Sequence, residues 1–421
     1  MNMIAQLVGD TSLPRMVKVR QHFYAPEVED TAEAAREAMQ DAGVLSRIAS
    51  GDRVAIAVGS RGVADIPVLV REVVNAVKLA GGLPFLIPAM GSHGGATAEG
   101  QRSVLEHLGV TESFTGAPIR ASMDVVQVGE LPNGLPVYAD KLAFEADKVI
   151  VINRIKPHTA FRGPFESGLT KMITIGLGKQ KGAEAAHAYS FKYMAEHIPA
   201  MAKIVLSKVP IIFGLGTIEN AYDHVAKVVA VPAEKLAEAE PLLLAEAKSL
   251  MPRIMVDPID VLVVDEIGKN ISGDGMDPNI TGRYGTPYAS GGPKVTRIAV
   301  LGLTEATEGN GNGIGLADVT TRRAVEQIAA GKGYANAITS TVLEMVKIPL
   351  TLESAELAVQ TAVKTCNAFD LSKVRLVRIE NTLNMKHIWV SESLLPELRD
   401  NPDIEVLTEP IDMNYADQIV Y

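Results

Sequence analysis

The stretch RVAIAVGSRGVADIPVLVREVVNAVKLAGG (53–82) decides the fold class. Its first six residues are a short apolar run ending at Gly59, which reads as a strand buried on both faces. Across 66–80 the apolar positions recur every three or four residues, and Gly81-Gly82 closes the segment as a helix is closed. Runs of the first kind return at LPFLIP (83–88), KVIVIN (148–153), PIIFGL (210–215), IDVLVV (259–264) and RIAVLGL (297–303), and 233–251 has the helical period. Strands alternating with helices predict an α/β fold of two α/β domains with mostly parallel sheets covered on both faces. Ligands of such sheets lie beyond the carboxyl ends of the strands, so the loops after each run are where chemistry is sought.

A chain of 421 residues exceeds what one core usually supports. We expect an N-terminal cofactor-binding catalytic domain (1–255), a C-terminal α/β domain (256–400) closing a substrate cleft, and a tail (401–421) packing back on the first domain. Hydrophobic residues make up 47% and charged residues 21% of the chain, and no apolar run is long enough for a membrane span. A start without a basic, apolar leader and a single cysteine, Cys366, point to a cytoplasmic protein without an intrachain disulfide or thiolate cluster. The net charge of -10 argues against a nucleic-acid binder. Between 265 and 293 the chain turns glycine-rich and weakly apolar, a length of loop that usually carries function. After it, EGNGNGIG (308–315) is expected to open a helix near Ala317.

Three loops carry candidate chemistry. Gly59-Ser60-Arg61-Gly62 follows a strand and precedes a helix, where backbone amides and a helix N-terminus favour an anion such as a phosphate. It reads equally as a tight turn with a surface arginine, and it is neither a Walker loop nor a dinucleotide fingerprint. Gly91-Ser92-His93-Gly94-Gly95 places a histidine among small residues after LPFLIP, suited to proton transfer or simply solvated. His107, in SVLEHLG, reads as an ordinary helix residue. The densest group follows KVIVIN: Asn153-Arg154-Ile155-Lys156-Pro157-His158, then Phe161-Arg162-Gly163, then Ser167-Gly168-Leu169-Thr170-Lys171, with His187 farther on in KGAEAAHAYSF. Lys171 stands in an apolar neighbourhood, which favours the unprotonated, nucleophilic amine. His187 is unencumbered enough to bind a metal, although alone it reads as a plain helix histidine.

The order His93, His158, Lys171, His187 resembles the lactate racemase family. The resemblance implies a nickel-pincer nucleotide, nickel held by pyridinium-3,5-bisthiocarboxylic acid mononucleotide, tethered to Lys171. By the same resemblance, His93 in GSHGG and His158 in KPHTAF act as acid/bases and His187 in EAAHAY ligates nickel. Gly59, Ser60, Arg61 and Gly62 match the family's phosphate loop loosely, because its usual Asp and Thr are missing. Leu169-Thr170 replaces the Gly-Arg that precedes the family lysine, and the stretch from His158 to Lys171 is longer than the pattern. GMDPN (275–279) is similar to the substrate-side loop, making Arg162, Arg283, Asp277 and Asn279 candidates for substrate contact. The implied reaction is racemisation or epimerisation at C2 of a 2-hydroxy acid, by reversible hydride transfer through a planar 2-keto acid. The acidity of C2–H is too low for an unaided imidazole, so a hydride route with one base on each face suits the chemistry. The implied partners are the small 2-hydroxy acid and the enzymes that make the cofactor. Two other readings stay open: a divalent-metal-dependent lyase or hydrolase acting on a hydroxy acid, and a non-catalytic binder or carrier of the nucleotide.

Overall fold

The computed structural model describes residues 3–60 and 62–415, and they fall into two compact units, 25–251 and 1–24 with 252–421. In the first unit a five-stranded sheet has the order Leu83–Pro88, Arg53–Val58, Lys148–Arg154, Ile211–Glu219, Val225–Pro232. Its first four strands are parallel and the last returns antiparallel as a hairpin. The four apolar runs foreseen in this unit are these parallel strands, and every residue of Arg53–Val58 after the first is buried. Helix Ile66–Leu79 packs its Leu69, Val70, Val73 and Val77 into one core with Val54, Ile56 and Ile150.

Strand order reverses at Arg53–Val58, whose next strand in sequence lies on one side and Lys148–Arg154 on the other. Connections leave in opposite directions there, so a crevice opens beyond the carboxyl ends of these two strands. It receives the loops beginning at Gly59 and Ile155. A side chain at Gly59 would bring its Cβ within 2.9 Å of Asn153 Oδ1, so glycine lets the first loop lie against the second strand.

The second unit holds an eight-stranded sheet in the order Leu350–Leu352, Val319–Thr321, Val295–Val300, Ile259–Val264, Leu376–Ile379, His387–Ser391, Met16–Gln21, Ile404–Val406. The first five are parallel and the last three antiparallel. Three expectations are corrected here. Residues 1–24 do not belong with the N-terminal domain, because Met16–Gln21 takes its ladder partners from His387–Ser391 and Ile404–Val406. For the same reason 401–415 is part of this sheet, and Met16 also bridges Ile411. No helix opens at Ala317; a single 3-10 turn, Ile314–Leu316, leads into the strand Val319–Thr321. No helix among the described residues is long and apolar enough to cross a membrane.

The long loop after Ile259–Val264 is ordered by its own polar groups. Asp277 caps the short helix Pro278–Thr281 through the amide of Asn279, and the amide of Asp277 donates to Thr382 Oγ1 at 2.9 Å.

Candidate active site

Three loops of the 25–251 unit and one irregular helical segment build the site. After Lys148–Arg154 the chain runs to His158 and returns through Ser167, whose backbone pairs with Lys156. Glu166 holds this excursion together. Its buried carboxylate accepts the amide of His158 at 2.8 Å and that of Gly163 at 3.3 Å, and pairs with Lys248 at 2.6 Å. Arg162 reaches the same carboxylate at 3.4 Å and donates to the carbonyl of His158 at 2.5 Å. The connection from His158 to Ser167 is thus an internally bonded loop, and Arg162 is a brace of it.

The chain then enters a helical turn, Leu169–Lys171, which widens into a π turn, Met172–Gly176, before the helix Lys179–His187. Such π turns frequently mark functional sites. The first turn is capped from a distance: Glu240 accepts the amide of Thr170 at 2.8 Å and also its hydroxyl. Burial pushes the Glu240 carboxyl up to about 7. Thr170 is therefore a cap partner. Glu240→Ala leaves a buried amide and hydroxyl without their acceptor, which costs about 1–3 kcal/mol. Chemical denaturation is expected to show that loss, with Glu240→Gln losing less because its amide oxygen still accepts.

His158, Lys171 and His187 meet around two phenylalanines. The His158 ring lies 4.5 Å from Phe161 and 5.8 Å from Phe191, and the His187 ring meets the edge of Phe191 at 5.2 Å, centroid to centroid. Lys171 Nζ is 2.6 Å from His158 Nε2. Burial, ahead of the basic groups Lys171, His187, Lys156 and Arg162, holds the His158 imidazole well below its usual range. Burial likewise lowers His187 to about 4, opposed by the hydrogen bond of its Nδ1 to the carbonyl of Ala183 at 2.6 Å. That bond puts the ring proton on Nδ1 and leaves Nε2 with its lone pair, as a metal-binding imidazole requires.

The low value at His187 has a consequence for stability. Its unfolded imidazole, near 6.5, binds protons that the folded one refuses, so this contribution is complete above about pH 6.5 and is lost as pH falls toward 4. Glu240 works in the opposite direction over part of this range, because its folded carboxyl keeps a proton that the unfolded one releases. The comparison is therefore between the parent and His187→Gln. From pH 7 to 5 the parent is expected to lose on the order of 1–2 kcal/mol more than the variant. Equal losses in urea titrations at the two pH values would remove His187 as the cause.

His93 stands on the loop after Leu83–Pro88, and its Nδ1 is 2.5 Å from Ser60 Oγ. Ser60, expected at a phosphate, thus contacts the first candidate base, and the two loops beside the crevice are joined. Arg61 lies outside the described residues. Gly62 has φ +59°, and a side chain there would meet the Arg154 guanidinium at 2.8 Å. Arg154 is itself paired with buried Glu219, which also accepts the amide of Ala64 at 2.7 Å. A phosphate in this turn would thus have the Arg154 guanidinium beside it.

The His93 loop is anchored by a buried group absent from the sequence reading. Lys179, fully buried, pairs with Asp140 at 3.0 Å, donates to the carbonyl of Pro88, and reaches Gln101 Oε1 at 3.2 Å. Gln101 in turn donates to the carbonyls of Gly91 at 2.8 Å and His93 at 3.3 Å. The amide of Gly91 donates to the carbonyl of Gly176 at 3.2 Å, so the loop bearing His93 rests on the segment bearing Lys171 and His187. The visible signal in the sequence was a lysine between glycines, GLGKQKG (176–182), immediately after the π turn.

The substrate-side candidates of the other unit are bound up internally. Arg283 pairs with Asp318 at 2.6 Å and donates to the carbonyls of Leu316, Val295 and Thr296, which commits it to fastening the loop and leaves the expected grip on a substrate carboxylate without support. Asn279 donates to Asp277 at 2.9 Å and accepts from Tyr284 at 3.2 Å. His107, the last residue of helix Ala98–His107, bonds back to Ser103 as an ordinary helix residue does.

Comparison with known proteins adds the following. Residues 10–198 match the family model of the lactate racemase N-terminal domain. The lactate racemase apoprotein from Thermoanaerobacterium thermosaccharolyticum is 13% identical, with 87% of this chain and 94% of that chain covered and a TM-score of 0.50. A protein from Thermotoga maritima is also 13% identical, covering 85% of this chain and 99% of its own, with a TM-score of 0.53. At this identity the two structures bear on the fold alone. No curated protein sequence matches the chain.

Proposed function

We propose that the chain, whose residues 10–198 match the family model of the lactate racemase N-terminal domain, is an isomerase inverting C2 of a 2-hydroxy acid. The observation that carries the reading is the meeting of His158, Lys171 and His187 around Phe161 and Phe191, with the His93 loop resting on the same helical segment.

The residues present suit a nickel-pincer nucleotide. His187 offers Nε2 with its tautomer fixed by Ala183. Among the described residues no group of three or more His, Cys, Asp or Glu converges on a metal position. A metal at His187 would therefore draw its other donors from the nucleotide, whose soft sulfur and carbon atoms suit nickel. Lys171 supplies the tethering amine, and the Gly59–Gly62 turn, with Arg61 and Arg154, the phosphate site. When bound, the group supplies an acceptor for the C2 hydride.

The chain does the rest. His93 and His158 take and return the hydroxyl proton, one on each face of the substrate. Ser60 orients the His93 ring through Nδ1. Phe161 and Phe191 keep water from the reacting carbon, while the braced loop of Arg162 and Glu166 holds His158 in place.

For the substrate we infer an extended hydroxylated acid, such as an aldonate, in preference to lactate. The loop 161–166, with Arg162 beside His158, would offer polar groups to further hydroxyls, contacts that a small aliphatic acid cannot make. The test is to produce the chain together with the cofactor's biosynthetic enzymes and supply lactate, malate and C4 to C6 sugar acids. Chiral chromatography then follows C2. Inversion of a sugar acid faster than lactate is the expected result; inversion of lactate above all others overturns the substrate class, and no inversion of any acid by nickel-loaded protein overturns the isomerase.

A further inference from the structure

We propose that Lys179 is a positioning residue: its buried ammonium, acting through the side-chain amide of Gln101, holds the His93 loop in register with the helix that ends at His187. The role of His93 as a base rests on the reading above; its placement by Lys179 does not.

Lys179 opens the helix Lys179–His187 with φ +54°. A residue with a side chain adopts this left-handed conformation at a cost, and keeps it where the surroundings impose it. Here the side chain is fully buried. An ammonium has three donors and no acceptor, and three oxygens from separate elements meet it. They are Asp140 Oδ2 at 3.0 Å, Gln101 Oε1 at 3.2 Å and the carbonyl of Pro88. Folding alone does not call for a lysine at this point. Glycine would serve the backbone, and apolar side chains in place of a buried ion pair are often as stable. What the ammonium alone supplies is a fixed donor aimed at Gln101.

The two ends of a glutamine amide are alike in shape and opposite in chemistry. Because Lys179 can only donate, Gln101 turns Oε1 toward it and directs both N–H groups of Nε2 the other way. There they meet the carbonyls of Gly91 at 2.8 Å and His93 at 3.3 Å. Reversed, the amide would set N–H against the ammonium and oxygen against two carbonyls. Gln101 is itself fully buried, so surface water does not replace these bonds. The two carbonyls bracket Ser92, while the imidazole of His93 is met at Nδ1 by Ser60 Oγ. Backbone and ring of His93 are thus fixed by different groups, Gln101 and Ser60. Since Lys179 and His187 are the two ends of one helix, the same ammonium sets where His93 stands relative to His187.

The test uses two variants, each as apoprotein labelled at the histidine nitrogens and as nickel-loaded protein. Gln101→Met keeps the volume and removes both donors. Lys179→Met combined with Asp140→Asn removes the ion pair as a unit and keeps the oxygen with which residue 140 caps Lys141–Phe144. In both apoproteins the NMR ring signals of His93, identified as those missing from His93→Ala, are expected to move while those of His158 stay. In single turnovers of the loaded proteins, both variants are expected to slow the half-reaction that His93→Ala loses by at least about tenfold and to spare the other, since a base displaced by 1 Å can lose about 100-fold. A merely structural role would loosen both histidines and slow both half-reactions alike. The parent protein gives a readout that needs no variant to fold: nitrogen NMR of labelled lysine is expected to show Lys179 as an ammonium at about pH 8. A neutral amine there, unmoved His93 signals in either folded variant, or equal slowing of the two half-reactions overturns the inference. Moved His93 signals in a protein whose loaded parent inverts no acid retain the placement and count against the isomerase.

Discussion

Replacing Lys171 with Ala is expected to abolish covalent retention of the nucleotide while the protein stays folded. Lys171 ends a short helical turn that is capped by Glu240 through Thr170, not through the lysine. Alanine is the best helix former, so the turn itself loses nothing by the change. What disappears is the amine with its contacts, the bond to His158 among them, each worth about 1 kcal/mol for a partly exposed group. Protein co-produced with the cofactor's biosynthetic enzymes is then weighed intact. The parent is expected to carry an adduct and the variant none, with melting temperatures a few degrees apart at most. An undiminished adduct on the variant would move the tether to another nucleophile. The variant also checks the pairing with His158: without the amine, the ring loses the partner that keeps Nε2 occupied, and its NMR signals are expected to move even though no cofactor is present.

The parallel core of each unit was legible because a strand buried on both faces writes itself as an uninterrupted apolar run. RVAIAV, KVIVIN and IDVLVV are such runs, and all three are central strands. Met16–Gln21 was not legible as a member of the second unit. Its partners lie more than 360 residues away along the chain, and no local pattern carries that pairing. The same limit applies to the site. His93, His158, Lys171 and His187 could be singled out by residue type and position, but the groups that fix them could not. Glu166 and Lys248, or Thr170 and Glu240, are 82 and 70 residues apart. A buried carboxylate looks like any surface glutamate until its neighbours are known. Ser60 shows the same limit: its position after a strand suggested an anion contact, and only the approach of the next loop reveals that its hydroxyl also meets His93.

The two histidines are expected to fail differently. If each serves one face of the substrate, one net inversion uses both, so His93→Ala and His158→Ala should each lower isomerisation by at least about 100-fold. A single passage in one direction needs only the base on that face. Loaded variant mixed with one enantiomer should then still take up hydride in a single turnover, while the other enantiomer gives no reaction, and the two variants should show opposite preferences. Because His158 also holds the Lys171 amine, His158→Ala is expected to load less nucleotide, so rates must be referred to nickel content and not to protein. Ser60→Ala supplies an internal control. It leaves the His93 ring in place but removes its partner at Nδ1, so it should weaken the half-reaction that His93→Ala loses and spare the other. Stopped-flow absorbance of the loaded protein with each enantiomer reads all three. Should both histidine variants respond alike to both enantiomers, the assignment of one base to each face is wrong, and a single histidine must serve both.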